Sequence, residues 1–164
     1  LLDYLVERGK TYALAKDSRV FDTGGFKSTK TDMTVDDLYA KFFEVFGVAR
    51  THCVNMYGMT ELSSQIYDQN LLSYYTDGSS NYLKATPSWV RSVFLDPATL
   101  TPVADGEQGV ISHYDLANWN SCLAILTEDL GVRTDSGYEL NGRAKGAEAR
   151  GCSIAVDEVM AANA

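Results

Sequence analysis

TVDDLYAKFFEVFGVARTHCVNMYG, residues 34–58, is the stretch on which the fold class turns. Thr34 offers a side-chain oxygen for a helix N-terminus, and Asp36 and Asp37 fall in the first turn, where the helix dipole favours carboxylates. Val35, Leu38, Phe42, Val45 and Phe46 recur every three or four positions, the period of a buried helical face. Gly47 stands where a left-handed residue closes a helix. THCVNMYG (51–58) then returns to strand-like composition, and SRVFDTGG (18–25) upstream reads as a short strand entering a glycine loop. Strand, loop, helix and strand make a βαβ unit, which pairs its two strands in parallel. Phe42, Phe43 and Phe46 are expected in its core.

Outward from this unit, residues 1–9 place Leu2, Leu5 and Val6 on one helical face. The run from Met59 onward reads as more helical, which would make Tyr57–Glu61 a strand-to-helix turn. Residues 69–88, rich in Tyr, Ser, Asn and Asp, read as an exposed loop. Beyond residue 85 the rhythm shortens: WVRSVFLD (89–96), GVISHYDL (109–116), NSCLAILTED (120–129) and GYELNGR (137–143) look like strands, with Pro97-Ala98 and Asp105-Gly106 as turns. The expected architecture is α/β: a βαβ parallel-sheet portion over 1–84, then a small antiparallel β subdomain over 85–143, then a tail over 144–164.

The 164 residues are enough for one ordinary domain or two small subdomains with a real core. A composition 45% hydrophobic and 22% charged is that of a folded globular chain. The formal net charge of −8 disfavours nucleic acid and anionic membrane as partners, because both need a basic footprint. No stretch approaches the roughly 18 unbroken apolar residues of a membrane span. Residues 1–10 carry two acids and do not read as a signal peptide. Cys53, Cys122 and Cys152 form no CxxC pair, and His52 and His113 have no partner at metal-binding spacing. That usage points to a reducing, cytoplasmic setting and away from a Cys/His metal site. Cys53 and Cys122, in strand-like runs, are expected to be packing residues, and both histidines to be structural. The chain begins with Leu inside a helical pattern and reads as a piece of a longer protein.

Four short stretches carry chemistry. Thr23-Gly24-Gly25 puts two glycines at a strand end, where backbone approaches a flat ligand closely. Tyr57-Gly58-Met59-Thr60-Glu61 sets an aromatic, a hydroxyl and a carboxylate around a turn. Thr127-Glu128-Asp129 places a carboxylate at a strand end, and Gly142-Arg143-Ala144-Lys145-Gly146 is a basic loop. Taken singly, each is also what an ordinary turn looks like.

Taken in this order, the four resemble the adenylate-forming ligase superfamily. The stretches DSRVFDTGGFK, NMYGMTEL, LTEDLG and GRAKGAEARGCSIAVDE resemble in particular the LuxE-type acyl-protein synthetases, with phenylacetate-CoA ligases as more distant relatives. The resemblance implies a C-terminal fragment of an adenylate-forming enzyme fold, with ATP and Mg²⁺ as cofactors. It assigns Tyr57 to stacking on adenine, Gly24 and Gly25 to flanking that base, and Gly58 to the turn beneath the nucleotide. Thr60 would donate to the α-phosphate and Glu61 would hold Mg²⁺, a hard cation suited to carboxylate and phosphate oxygens. Asp129 would accept the ribose hydroxyls, Arg143 would reach ribose or phosphate, and Lys145 would stand at the hinge before a mobile C-terminal part. The family's upstream Ser/Thr/Gly-rich phosphate loop does not occur in these residues.

The reaction so implied is ATP-dependent activation of a long-chain fatty or related carboxylic acid, followed by transfer to a protein cysteine. Cys152, beside Arg150, which favours thiolate, is the candidate acceptor. Two other readings stand beside it: an acyl- or aryl-CoA ligase in which Cys152 is structural, and a non-catalytic nucleotide-binding homologue. Implied partners are the acid substrate and an acyl-acceptor or reductase subunit of the kind used in bacterial luminescence.

Overall fold

Helix α2 (Val35–Phe46) starts and stops where its sequence demands. In the computed structural model, which describes residues 1–23 and 34–144, the Thr34 hydroxyl accepts from the Asp37 amide at 3.1 Å. The Asp37 carboxylate in turn accepts from the Thr34 amide at 2.8 Å. This reciprocal box satisfies two donors that the first helical turn leaves without partners. Gly47 closes the helix at φ 67°, a left-handed conformation that lacks a Cβ penalty only for glycine.

The flanking strands β1 (Val20–Thr23) and β2 (Cys53–Tyr57) pair in parallel, from Val20 opposite Cys53 to Thr23 opposite Met56. The βαβ unit is therefore present as expected. Tyr39, Val48 and Cys53 form its core, with Val20, Phe42 and Phe46 packed against them. Two residues depart from the expected face. Phe43 is 60% and Val35 51% exposed. The stripe is carried by Leu38, Tyr39, Phe42, Val45 and Phe46. Short helix α1 (Leu2–Glu7) buries Leu5 beside α2.

After Tyr57 the chain does not enter a helix. It turns at Thr60-Glu61 and returns antiparallel as β3 (Ile66–Asp68), with Tyr57 opposite Ile66. Leu62 and Ile66 are buried in the main core, so the segment is a strand return rather than a helical stripe. Residues 69–88 are not a plain loop either. They hold helix α3 (Asn70–Asp77) and the two-residue β4 (Lys84–Ala85), and Asn70 and Lys84 are buried.

β5 (Val90–Leu95), β6 (Gln108–Asp115), β7 (Ala124–Thr134) and β8 (Gly137–Arg143) follow as an antiparallel run. β7 begins later and ends later than the sequence suggested, leaving Cys122 exposed before it rather than packed within it. Cys53 is buried, as expected. Among the described residues the eight strands join in the order β1-β2-β3-β4-β8-β7-β6-β5, with β4 joined to β8 at Lys84 and Tyr138. The main core of Tyr57, Leu62, Ile66, Phe94, Ile111 and Tyr138 draws on both ends of that order. No helix of the described residues is long and apolar enough to cross a membrane.

Candidate functional site

β2 delivers Tyr57 to the middle of the molecule, and β7 and β8 meet it there. The Tyr57 hydroxyl donates to Asp129 Oδ2 at 2.7 Å. Arg143 Nε stands 3.4 Å from Asp129 Oδ1, and its terminal nitrogen donates to Glu128 Oε2 at 2.7 Å. Two residues far apart in sequence, Tyr57 and Arg143, thus converge on the Asp129 carboxylate. Asp129 keeps 20% and Arg143 25% of the side chain exposed, which leaves both reachable from solvent.

A local distortion aims this pair. Asp129 lies opposite Arg143, while Gly131 lies opposite Leu140, so β8 carries an extra residue between those registers. Gly142 occupies the bulge at φ 83°. A bulge of this kind re-aims the side chain that follows it, and the left-handed residue within it is ordinarily glycine. Arg143 owes its place beside Asp129 to that glycine.

Behind Tyr57 runs a buried relay. His113, fully buried, places Nε2 3.4 Å from the Tyr57 oxygen and Nδ1 2.8 Å from Ser92 Oγ. Since the Tyr57 proton is given to Asp129, its oxygen is free to accept from Nε2–H, and Ser92 then donates to Nδ1. Burial pushes the Tyr57 hydroxyl far above its usual range, and the Asp129 charge adds to this, so it stays a donor. Burial also holds His113 down at about 4, although Asp129 and Asp115 pull it upward. The unfolded imidazole binds its proton below about 6.5 while the folded one resists until about 4, so this stabilisation is complete above 6.5 and disappears as pH falls to 4. Wild-type unfolding free energy is expected to fall by on the order of 3 kcal/mol more than that of His113→Gln across this window. Denaturant titrations at closely spaced pH values check it; parallel curves for the two proteins would remove the neutral-histidine assignment.

The remaining expected site residues distribute as follows. Gly58, Thr60 and Glu61 are exposed on the turn that leaves Tyr57. The Tyr57 ring is only 8% exposed, lying in the main core with its hydroxyl turned to Asp129. Gly24, Gly25, Lys145 and Cys152 lie outside the described residues. Among the described residues no group of three or more His, Cys, Asp or Glu side chains is gathered tightly enough to hold a metal ion unaided. Glu61 as a single carboxylate suits a cation that draws its other ligands from phosphate oxygens and water. A partly exposed carboxylate flanked by a guanidinium can accept hydroxyl donors and face an anion at once.

The motif's own threonine braces this arrangement. Thr127 Oγ1 donates to the Ile111 carbonyl at 2.8 Å and accepts from the Asp129 amide at 3.1 Å, fixing the backbone of the TED stretch. His113 was expected to be structural, and its position behind Tyr57 is visible only in three dimensions.

A family model described as "Acyl-protein synthetase, LuxE" matches residues 2–161. A "Long-chain-fatty-acid--luciferin-component ligase" of Aliivibrio fischeri is 25% identical over 178 residues, covering 99% of this chain and 43% of the relative. The chain therefore spans less than half the length of the curated relatives it matches. Among solved structures, the McyG A-PCP protein complexed with phenylalanyl-adenylate superposes with a TM-score of 0.57 at 16% identity, over 88% of this chain and 29% of that one. A long-chain-fatty-acid–CoA ligase from Archaeoglobus fulgidus gives 0.53 at 17% identity, over 88% and 32%. At these identities the structures speak for a shared fold, that of the adenylate-forming ligases, which is the fold expected from the sequence.

Proposed function

The chain belongs to the LuxE family of acyl-protein synthetases, and from that premise we propose that its full-length protein activates a long-chain carboxylic acid with ATP and passes the acyl group to a protein cysteine. The observation that carries this reading is the convergence of Tyr57 and Arg143 on Asp129, with the chain running from Tyr57 directly into the exposed Thr60-Glu61 turn. The substrate class is supported by the name of the Aliivibrio fischeri relative.

In the first step a carboxylate oxygen attacks the α-phosphorus of ATP, the bond to the β-phosphate oxygen breaks, and pyrophosphate leaves with the bonding electrons. Asp129 accepts the ribose hydroxyls and fixes the register of the nucleotide. Arg143 holds Asp129 in place and stabilises charge on the phosphate side. Thr60 donates to the α-phosphate. Glu61 would hold Mg²⁺, which would offset the charge of the phosphates. Tyr57 serves chiefly as the anchor of Asp129, its contact with adenine being limited to the exposed fraction of the ring. Such preorganised donors and charges do most of the work in phosphoryl chemistry, since little covalent chemistry falls to the protein. In the second step a thiolate, assigned to Cys152, attacks the acyl carbonyl and AMP departs.

With labelled long-chain fatty acid, ATP and Mg²⁺, the full-length protein is expected to acquire hydroxylamine-sensitive label. Cys152→Ser should lose the label and keep fatty-acid-dependent ATP–pyrophosphate exchange. Label retained by that variant would relocate the acceptor, and label found only on coenzyme A would replace protein transfer by a CoA-ligase reaction. No exchange with any carboxylic acid would remove the ligase reading altogether.

A further inference from the structure

The turn that carries Thr60 and Glu61 is exposed, yet its exit is tied down by two buried side chains from the far end of β6. Asn118, 9% exposed, donates through Nδ2 to the Glu61 carbonyl at 2.7 Å and to the Cys122 carbonyl at 3.0 Å. Its Oδ1 accepts from Ser63 Oγ at 3.1 Å. Asp115, fully buried, accepts the Ser64 amide on Oδ2 and the Ser64 hydroxyl on Oδ1, each at 2.9 Å. Oδ1 also accepts from the Ala117 amide at 2.9 Å, which caps the 3₁₀ turn Leu116–Asn118 that presents Asn118. Trp89 Nε1 completes the set by donating to Ser64 Oγ at 2.9 Å.

Five of these bonds end on main chain or hydroxyl of residues 61–64, next to the two groups assigned to phosphate and Mg²⁺, and the bonds to the Cys122 carbonyl and from the Ala117 amide brace the residues that make them. A residue's Cα–Cβ direction follows its backbone, so a bond to the Glu61 carbonyl orients the Glu61 carboxylate without touching it. A buried carboxylate and a buried amide committed to one turn are more than closing that turn requires. Burying both side chains is favourable only because their polar atoms find partners in that turn, which ties its conformation to theirs. Their benefit is a turn that need not be ordered when ligand arrives, which conserves binding free energy and geometry for the reacting atoms.

We propose that Asn118, held by the Asp115-capped turn, is a positioning residue that presets the Thr60-Glu61 turn for the phosphates and Mg²⁺ of ATP. This rests on the ligase reading above. It acts through Glu61 and Ser63 and makes no contact with substrate itself.

The test uses the full-length protein with Asn118→Ala and Asn118→Asp, the second keeping shape and the Ser63 contact while removing the donor to Glu61. Loss of that bond is expected to raise KM for MgATP about tenfold, and to leave KM for the carboxylic acid within about twofold. Amide exchange of residues 60–64 without ligand should accelerate by about tenfold, while exchange in β1 and β2 stays as in wild type. A merely structural role would shift both KM values or neither. Unchanged KM for MgATP in an active protein, or unchanged amide exchange in 60–64, overturns the proposal. Should wild type itself show no ATP–pyrophosphate exchange, the ligase reading fails, and the amide exchange still decides whether Asn118 holds the turn. Should both Asn118 variants fail to fold, Ser63→Ala removes one bond at an exposed residue and is expected to raise KM for MgATP about twofold; no change there overturns the proposal.

Discussion

Asp129→Asn is expected to lower kcat/KM for carboxylic-acid-dependent ATP–pyrophosphate exchange in the full-length protein by about a hundredfold or more, because two hydrogen bonds from ribose to a charged acceptor are weakened at once. The substitution preserves volume and one acceptor oxygen, so Tyr57 keeps its 2.7 Å partner and the core is not opened. What is lost is the charge that Arg143 faces at 3.4 Å and that an ionised acceptor offers to two hydroxyls. Tyr57→Phe supplies the comparison. It deletes the anchor and spares the carboxylate, so its loss should be about tenfold, the worth of one hydrogen bond to a charged group. Steady-state exchange rates for the two variants check the ranking. Equal losses would mean that Asp129 matters only as the partner of Tyr57.

The second large effect concerns stability. Asp68 and Lys84 face each other across β3 and β4 with 4% and 6% of their side chains exposed. Lys84 Nζ donates to Asp68 Oδ1 at 2.7 Å and to the Asn55 carbonyl at 2.9 Å. Asp68 Oδ2 lies 3.8 Å from Arg50, whose guanidinium sits 3.7 Å over the Tyr39 ring and 4.0 Å over Tyr82. Asn55 and Tyr39 both donate to Asp22, one residue before Thr23. Burial depresses the Lys84 pKa, and Asp68 is the main force opposing that drop. Removing one member of a buried pair leaves an uncompensated charge, so Asp68→Ala should destabilise by about 3–5 kcal/mol. Calorimetry should record a melting temperature lower by about 10 °C or more. Adding Lys84→Met to Asp68→Ala should recover most of the loss, because an apolar pair of similar volume removes the stranded charge. A double variant as unstable as the single one would show that the pair is not the source.

The parts of the fold legible in sequence are those whose periodicity is carried by apolar residues. α2 could be read because Thr34, the 38–46 stripe and Gly47 agree with one another. The four later strands could be read because alternation and turn residues bound them. The return from Tyr57 to β4 was not legible, since β3 and β4 are only three and two residues long and show no period. Its order comes instead from Asp115 and Asn118 reaching in from the end of β6 and from Lys84 within β4 itself, and a charged or amide residue in a sequence reads as solvated surface. The helix face was misplaced at Phe43 for a related reason: hydrophobicity was read without Tyr39, which is buried while its hydroxyl donates to Asp22. At the site, the motifs named Tyr57, Asp129 and Arg143, but the bulge at Gly142 and the relay through His113 depend on register. Register is a property of paired strands, not of either sequence alone.

A crystal structure of the full-length protein with a non-hydrolysable acyl-adenylate analogue puts the convergence at Asp129 to its most direct test. Expected are both ribose hydroxyls within hydrogen-bond distance of the Asp129 carboxylate, with the phosphate mimic against Thr60. Adenosine seated away from Asp129 and Arg143, with Tyr57, Asp129 and His113 unchanged behind an empty surface, would contradict it.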